Sequence, residues 1–253
     1  MSGHSKWATI KRKKGATDAA RGRLFTRLIK EITIAARSGG GSPDGNPRLR
    51  LAIQTAKGAN MPADNIKRAI QKGTGELPGT TYEEVLYEGY GPGGVAILVE
   101  SVTDNNNRTV SEMRHVFTRN NGNLGTTGSV SWMFTKKGSI TVSKAGQKKP
   151  LAEDDMLTII LDAGADDMQS DASEFIILTS PQAFEGVKKA LEDNGIVIDH
   201  AAIQMVPNNT IKVTGREAEQ LLKLMESLEE HDDVQNLYAN FDIDDKELAA
   251  FNG

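Results

Sequence analysis

"TYEEVLYEGYGPGGVAILVESV", residues 81–102, decides the fold class. Gly89, Gly91 and Gly94 satisfy the dinucleotide-binding spacing G-x-G-x-x-G. That chemistry needs its glycines between a strand and a helix, so that a pyrophosphate meets the helix N-terminus. Here the glycines are followed by "VAILVE", residues 95–100, an apolar run suited to a strand. The stretch is therefore expected to be two strands joined by a Gly-rich hairpin turn, and no dinucleotide cofactor is expected.

Downstream, a helix is expected over 108–119 on the stripe Val110, Met113 and Phe117, then a strand in "GSVSWMF" (128–134). A second unit follows: a strand at Ile140–Val142 and a helix through Met156, Ile159, Ile160 and Ala163 stopped by Gly164. Next come a short strand near Met168, a strand at Phe175–Leu178, and a helix carrying Phe184, Val187 and Leu191 ended by Gly195. A further strand is expected to begin at "IVID" (196–199), which completes the β-α-β-β-α-β order of a ferredoxin-like sandwich. Thr214 and Glu217 suit a capping box ahead of Ala218, Leu221, Leu222, Met225 and Leu228, and "VQNLYANFDI" (234–243) a closing strand.

Residues 80–135 hold one helix for three strands, and the last strand–helix–strand supplies what they lack. The expected organisation is thus a middle α+β domain split between 80–135 and 204–243, an inserted ferredoxin-like domain at 136–203, and a tail at 244–253. Two consecutive independent domains are the competing arrangement.

Upstream the period is helical. Thr17 or Asp18 can cap a helix whose stripe is Phe25, Leu28, Ile29, Ile32 and Ala36, with Arg23, Arg27, Lys30 and Arg37 expected mostly on the outer side. "RSGGGSPDGNP" (37–47) breaks it, and Asn46-Pro47 caps a second helix lined by Leu49, Ile53 and Ala56 and ended at Gly58. A third runs from about Pro62 to Lys72, with Gly73 as its stop and a linker beyond. The fold class is α+β multidomain: an N-terminal helical bundle (1–79) plus two ferredoxin-like α/β sandwiches, one inserted in the other.

Charge divides the same way. Residues 1–72 hold sixteen Lys and Arg against four acids, +12, and the remainder carries −16, although the whole chain is only −4. Such asymmetry points to a polyanionic partner for the basic part. Lysines and arginines on one surface release counterions from a nucleic-acid backbone, which supplies affinity without sequence preference. The candidate phosphate contacts are Lys6, Lys11, Arg12, Lys13, Lys14, Arg21, Arg23, Arg27, Lys30, Arg37, Arg48, Arg50, Lys57, Lys67 and Arg68. Lys11 to Lys14 suit an arm that orders on binding, and Trp7 either stacks on a base or pins that arm. Reversing Arg23, Arg27 and Lys30 to glutamate is expected to weaken binding.

A second candidate surface, for bases, sugars or a partner, is dense in amides: Asn105, Asn106, Asn107, Arg108, Arg114, Arg119, Asn121 and Asn123. Helix caps and turns account for many of the same residues.

Enzyme signatures are missing from the residue pattern. The four histidines are scattered, no G-x-S-x-G elbow occurs, and acid pairs such as Asp154-Asp155 and Asp232-Asp233 diverge and suit a solvated face. No catalytic residue, metal or cofactor is expected. Zero cysteines exclude disulfides and thiolate sites and fit a reducing compartment, and no apolar run approaches a membrane span. A monomer with a nucleic acid, DNA or RNA, as partner is expected.

"MSGHSKWATIKRKKGATDAARGRLFTRLIKEI", "NPRLRLAIQTAKGANMPADNIKRAIQKGTG", "TDNNNRTVSEMRHVF" and "GNLGTTGSVSWMF" resemble the YebC family, essentially end to end. The resemblance implies a three-domain protein with no established catalytic residues. It also implies regulation of gene expression, either as a DNA-binding transcriptional regulator or as a ribosome-associated translation factor that helps difficult nascent sequences. With the resemblance, the start at "MSGHSKW" is expected to mark a bacterial cytoplasmic form rather than an organellar precursor, and the partner is expected to be DNA, ribosomal RNA or the ribosome.

Overall fold

A computed structural model describes residues 18–171 and 173–252. Three helices come first: α1 (Asp18–Gly39), α2 (Pro47–Gly58) and α3 (Ala63–Thr74). Their stripes close on one another in a core of Leu28, Ile32, Ala36, Leu49, Ala56, Ile66 and Ala69. Asn46 does more than cap. Its Oδ1 accepts from the Leu49 amide at 3.0 Å, while its Nδ2 donates to Ala35 O (2.7 Å) and Gly40 O (2.9 Å). One buried side chain thereby satisfies orphan groups at the end of α1 and the start of α2.

The expected stops move. Gly58 stays within α2, and the turn to left-handed φ falls on Asn60 (φ 58). Gly73 lies inside α3, whose end is Gly75 (φ 83). Gly73 is needed for another reason. A Cβ there would stand 2.4 Å from Thr33 O and 2.8 Å from Ala36 Cβ, so α1 and α3 touch through it. Gly73→Ala should cost about 1–3 kcal/mol by overpacking, read as a lowered urea midpoint; an unchanged midpoint would show that α3 can slide.

The middle sheet has the order β3-β1-β2-β9, all antiparallel: β1 (Glu83–Tyr90), β2 (Ala96–Thr103), β3 (Asn123–Leu124) and β9 (Val234–Ala239). Between β1 and β2 the residues Pro92–Gly94 form a single 3₁₀ turn with Gly93 and Gly94 at φ 73 and 75, so the G-x-G-x-x-G glycines serve a hairpin. Helices α4 (Asn106–Arg119) and α7 (Gly215–Glu229) cover one face through Met113, Phe117, Leu221, Leu224, Met225 and Leu228.

The other sheet has the order β5-β6-β4-β7: β4 (Phe134–Ser143), β5 (Ala165–Ser170), β6 (Glu174–Thr179) and β7 (His200–Pro207). It is antiparallel throughout, with α5 (Glu153–Asp162) and α6 (Phe184–Asp193) packed on its core side. A short parallel pair, β8 (Ile211–Lys212) and β10 (Phe241–Asp242), and α8 (Asp245–Asn252) complete the chain. The helix-free face of the middle sheet is covered at one end by the turn that leads into β4 and by the second sheet: Ala96, Leu98 and Tyr238 pack on Val130 and Met133 of the turn, Phe134 of β4 and Met205 of β7. The architecture is α+β, and β9 returns from residue 234 to pair with β2, across the whole of the second sheet in sequence.

Three local expectations are corrected. "GSVSWMF" is not a strand: Ser131–Met133 is a 3₁₀ turn and β4 begins only at Phe134. "IVID" stays outside the sheet, and β7 is formed by the next eight residues. Thr214 makes no side-chain cap; the Gly215 amide instead donates to Glu247 Oε1 of α8 at 2.7 Å, a partner that no local motif reveals. No helix among the described residues is long and apolar enough to cross a membrane.

Candidate nucleic-acid interface

Helix α1 carries its cations on the side away from its own core, and in the sequence that side is expected to face solvent. It faces the middle sheet instead. Lys30 is only 7% exposed. Its Nζ donates to Asp233 Oδ1 at 2.6 Å and to the carbonyls of Asp232 (2.9 Å) and Val102 (3.1 Å). Asp233, 4% exposed, is thereby no member of a solvated acid pair. Its Oδ2 accepts from Arg108 Nη2 (2.8 Å) and Thr109 Oγ1 (2.7 Å), and Thr109 in turn meets the Thr103 hydroxyl at 2.8 Å. Burial pushes the Asp233 carboxyl up, but the bonds from Lys30, Arg108 and Thr109 outweigh it and hold the group well below the usual carboxylate range.

The turn that presents Asp233 is tied by a histidine. The Asp233 amide donates to His231 Nδ1 at 3.1 Å, so the neutral ring carries its proton on Nε2 and donates to Glu112 Oε2 at 2.9 Å. Donor atoms of Glu112, His231 and Asp233 lie within 4.8 Å of one another, a spacing a metal ion could use. The chemistry argues against one: both Asp233 oxygens are committed, and a metal there would face the Lys30 ammonium and the Arg108 guanidinium. The cluster is a latch between α1 and the middle sheet.

Other expected phosphate contacts join it. Arg27 donates to the Glu229 carbonyl, and burial lowers its guanidinium from the ordinary value. Arg23 reaches Glu230 at 3.5 Å. Arg48 bridges Glu31 (2.7 and 2.9 Å) and Glu84 (2.6 and 3.2 Å), bonds that raise it above the ordinary arginine value. Arg37 stays exposed and donates to the Tyr82 carbonyl at 3.4 Å. The outward cationic face expected of α1 is therefore corrected: Lys30 is buried in the latch and Arg23 and Arg27 are turned to protein acceptors, as is Arg48 at the start of α2.

Apart from Arg21 and Arg37 of α1, the cations of the described bundle that remain for solvent lie on α2 and α3. Arg50 and Lys57 stand two turns apart on α2; Lys67, Arg68 and Lys72 project from α3. All are exposed, with no acidic partner among the described residues. Arg21 lies over the Phe25 ring at 5.8 Å. Lys6, Trp7, Lys11, Arg12, Lys13 and Lys14 lie outside the described residues.

Much of the amide-rich surface has structural work. Asn105 caps α4 through the Arg108 amide (3.1 Å), Asn106 Oδ1 accepts from Tyr87 Oη (2.7 Å), and Asn121 takes left-handed φ 58. Arg108 belongs to the latch. Asn107, Arg114, Arg119 and Asn123 are exposed.

Two family models match the chain: the TACO1/YebC protein N-terminal domain over residues 5–76, and the TACO1/YebC second and third domain over residues 82–241. The chain belongs to the YebC family. Among curated relatives of this YebC-family chain, a probable transcriptional regulatory protein of Desulfotalea psychrophila is 60% identical over 247 residues, 97% of each chain. One of Geobacter sulfurreducens is 57% identical over 248 residues, 98% of each. A crystal structure of a conserved hypothetical protein from Aquifex aeolicus is similar with a TM-score of 0.78 and 48% identity, covering 90% of this chain and 93% of that one. The latch residues Asp233 and Thr109 escaped the sequence reading, because an aspartate beside another acid and a threonine on an amphipathic helix carry no distinguishing pattern.

Proposed function

We propose that this YebC-family chain is a non-enzymatic nucleic-acid-binding regulator of gene expression that acts on the ribosome as a cytoplasmic translation factor. The observation that carries the proposal is the outer face of α2 and α3. Arg50, Lys57, Lys67, Arg68 and Lys72 are exposed and unneutralised, on a bundle latched rigidly to an otherwise acidic body. Fixed cations beside a repelling acidic surface disfavour a long duplex and suit a phosphate-lined cleft within a ribonucleoprotein. The domain division proposed with it is 1–79, 80–135 with 204–243, and 136–203 inserted. It rests on β9 returning to β2 outside the second sheet.

A second reading, DNA-binding transcriptional control, is favoured by the names of the relatives and by one geometric feature. Helices α2 and α3 are joined by only four residues, 59–62, the connection length of a helix-turn-helix, with Lys67 and Arg68 early in the second helix. Sedimentation of cell extract through sucrose gradients at low and high salt separates the two. The protein is expected to travel with ribosomes at low salt and to be released at high salt; if it never does, the translation reading fails. A tight, sequence-selective complex with a promoter duplex at physiological salt would establish the other.

A further inference from the structure

Trp132 is 69% exposed, on the turn before β4. An indole left in water forgoes a large apolar burial, yet the chain holds it firmly there. Glu88 of β1, 2% exposed, accepts from the amides of Gly128 (2.7 Å), Val130 (2.7 Å) and Ser131 (2.8 Å). Burial raises the Glu88 carboxyl, but those bonds prevail and keep it below the usual range. Val130 is fully buried between the two sheets. Tyr90 Oη (2.9 Å) and Trp132 Nε1 (3.1 Å) both donate to Ser129 O, and Asn208 Nδ2 donates to Trp132 O at 3.3 Å. The one polar atom of the indole is thus satisfied within the protein, and its exposed surface is ring.

The chain around this residue is also set apart by charge. Residues 113–152 contain seven Lys and Arg and no Asp or Glu, whereas the rest of the chain beyond residue 72 has seven against thirty. Lys136, in β4, lines a cleft of about 1120 Å³ with Arg50 of α2, beside the carboxylates Glu100 and Glu185. That cleft is mixed in charge, with Glu31, Glu84, Glu100 and Glu185 facing Arg48, Arg50, Lys136 and Lys188, so the acid-free stretch around Trp132 is a separate feature from the cations of the bundle.

We propose that Trp132 is a stacking platform for a nucleobase of single-stranded RNA. The proposal rests on the nucleic-acid reading above and adds a contact remote from the α2–α3 face. A fixed ring whose donor is already used selects a ligand by its π-face, which every base offers. The exposed Thr126 and Thr127, in the loop between β3 and this turn, supply uncharged groups for base edges and sugar hydroxyls.

The chain has two tryptophans, so a full-length Trp7→Phe protein reports on Trp132 alone. Titration with a mixed-sequence single-stranded RNA 12-mer should quench its emission as binding saturates. Trp132→Ala should weaken that binding roughly 5- to 100-fold, the range for losing one stacked base, with the salt slope unchanged, and Trp132→Phe should keep most of the affinity. RNA binding with constant emission and no effect of Trp132→Ala would overturn the platform and leave the cationic face standing. Absence of RNA binding even at low salt would overturn both. Quenching by a proline-rich peptide but not by RNA would overturn it in favour of a polypeptide ligand.

Discussion

Lys30→Met is expected to lower the stability of the folded chain by about 3 kcal/mol, at the lower end of the cost of breaking a buried ion pair. The low end applies because Arg108 and Thr109 still hold Asp233 Oδ2 after Lys30 is gone. Oδ1 is then left buried without its charge partner, beside the carbonyls of Asp232 and Val102 that also lost a donor. Against a typical total of about 5–15 kcal/mol this is a large fraction. Urea unfolding should show it as a lower midpoint, and Lys30→Met with Asp233→Asn should cost less than the two changes summed, since the unpaired charge is removed. Affinity of the folded protein for nucleic acid should be unchanged. A variant with an unaltered midpoint but weaker binding would return Lys30 to the phosphate surface.

The same pair sets a pH dependence. The folded carboxyl of Asp233 is depressed, so its stabilisation is fully present above the ordinary aspartate range. It is lost progressively as pH falls from about 4 towards the lower folded value. The Lys30–Asp233 pair should keep its full contribution through neutral and mildly acidic conditions, and the Lys30→Met penalty should shrink only in strong acid.

Reversal of the outer face is the second large effect. Arg50→Glu, Lys57→Glu, Lys67→Glu and Arg68→Glu together should make the slope of log affinity against log salt shallower by about 3 and weaken binding by about 100-fold or more at physiological salt. All four side chains are exposed and have no acidic partner among the described residues, so each substitution should shift stability by no more than about 0.5 kcal/mol. Fluorescence anisotropy of a labelled oligonucleotide across a salt series measures the first quantity and urea unfolding the second. Unchanged affinity in a folded variant would remove this face as the binding surface. Reversing Arg23, Arg27 and Lys30 tests something different, because those changes strike the contact between α1 and the 229–233 turn.

The sequence by itself determined the grammar of this protein: three amphipathic helices, a hairpin where a dinucleotide motif could have stood, and the β-α-β-β-α-β order of the second sheet. These are legible because side-chain periodicity, glycine and proline act over a few residues. The +12 and −16 division was legible too, since charge is a property of composition. Tertiary structure alone decided which cations are free. A helical wheel shows that Lys30 points away from the core of its own bundle, but the turn that receives it lies some two hundred residues later. For the same reason Glu247 replaced the cap expected from Thr214, and Glu88 bent residues 128–131 into a turn where alternation alone suggested a strand. Local pattern specifies which face of an element is apolar; only the assembled chain decides what meets the polar one.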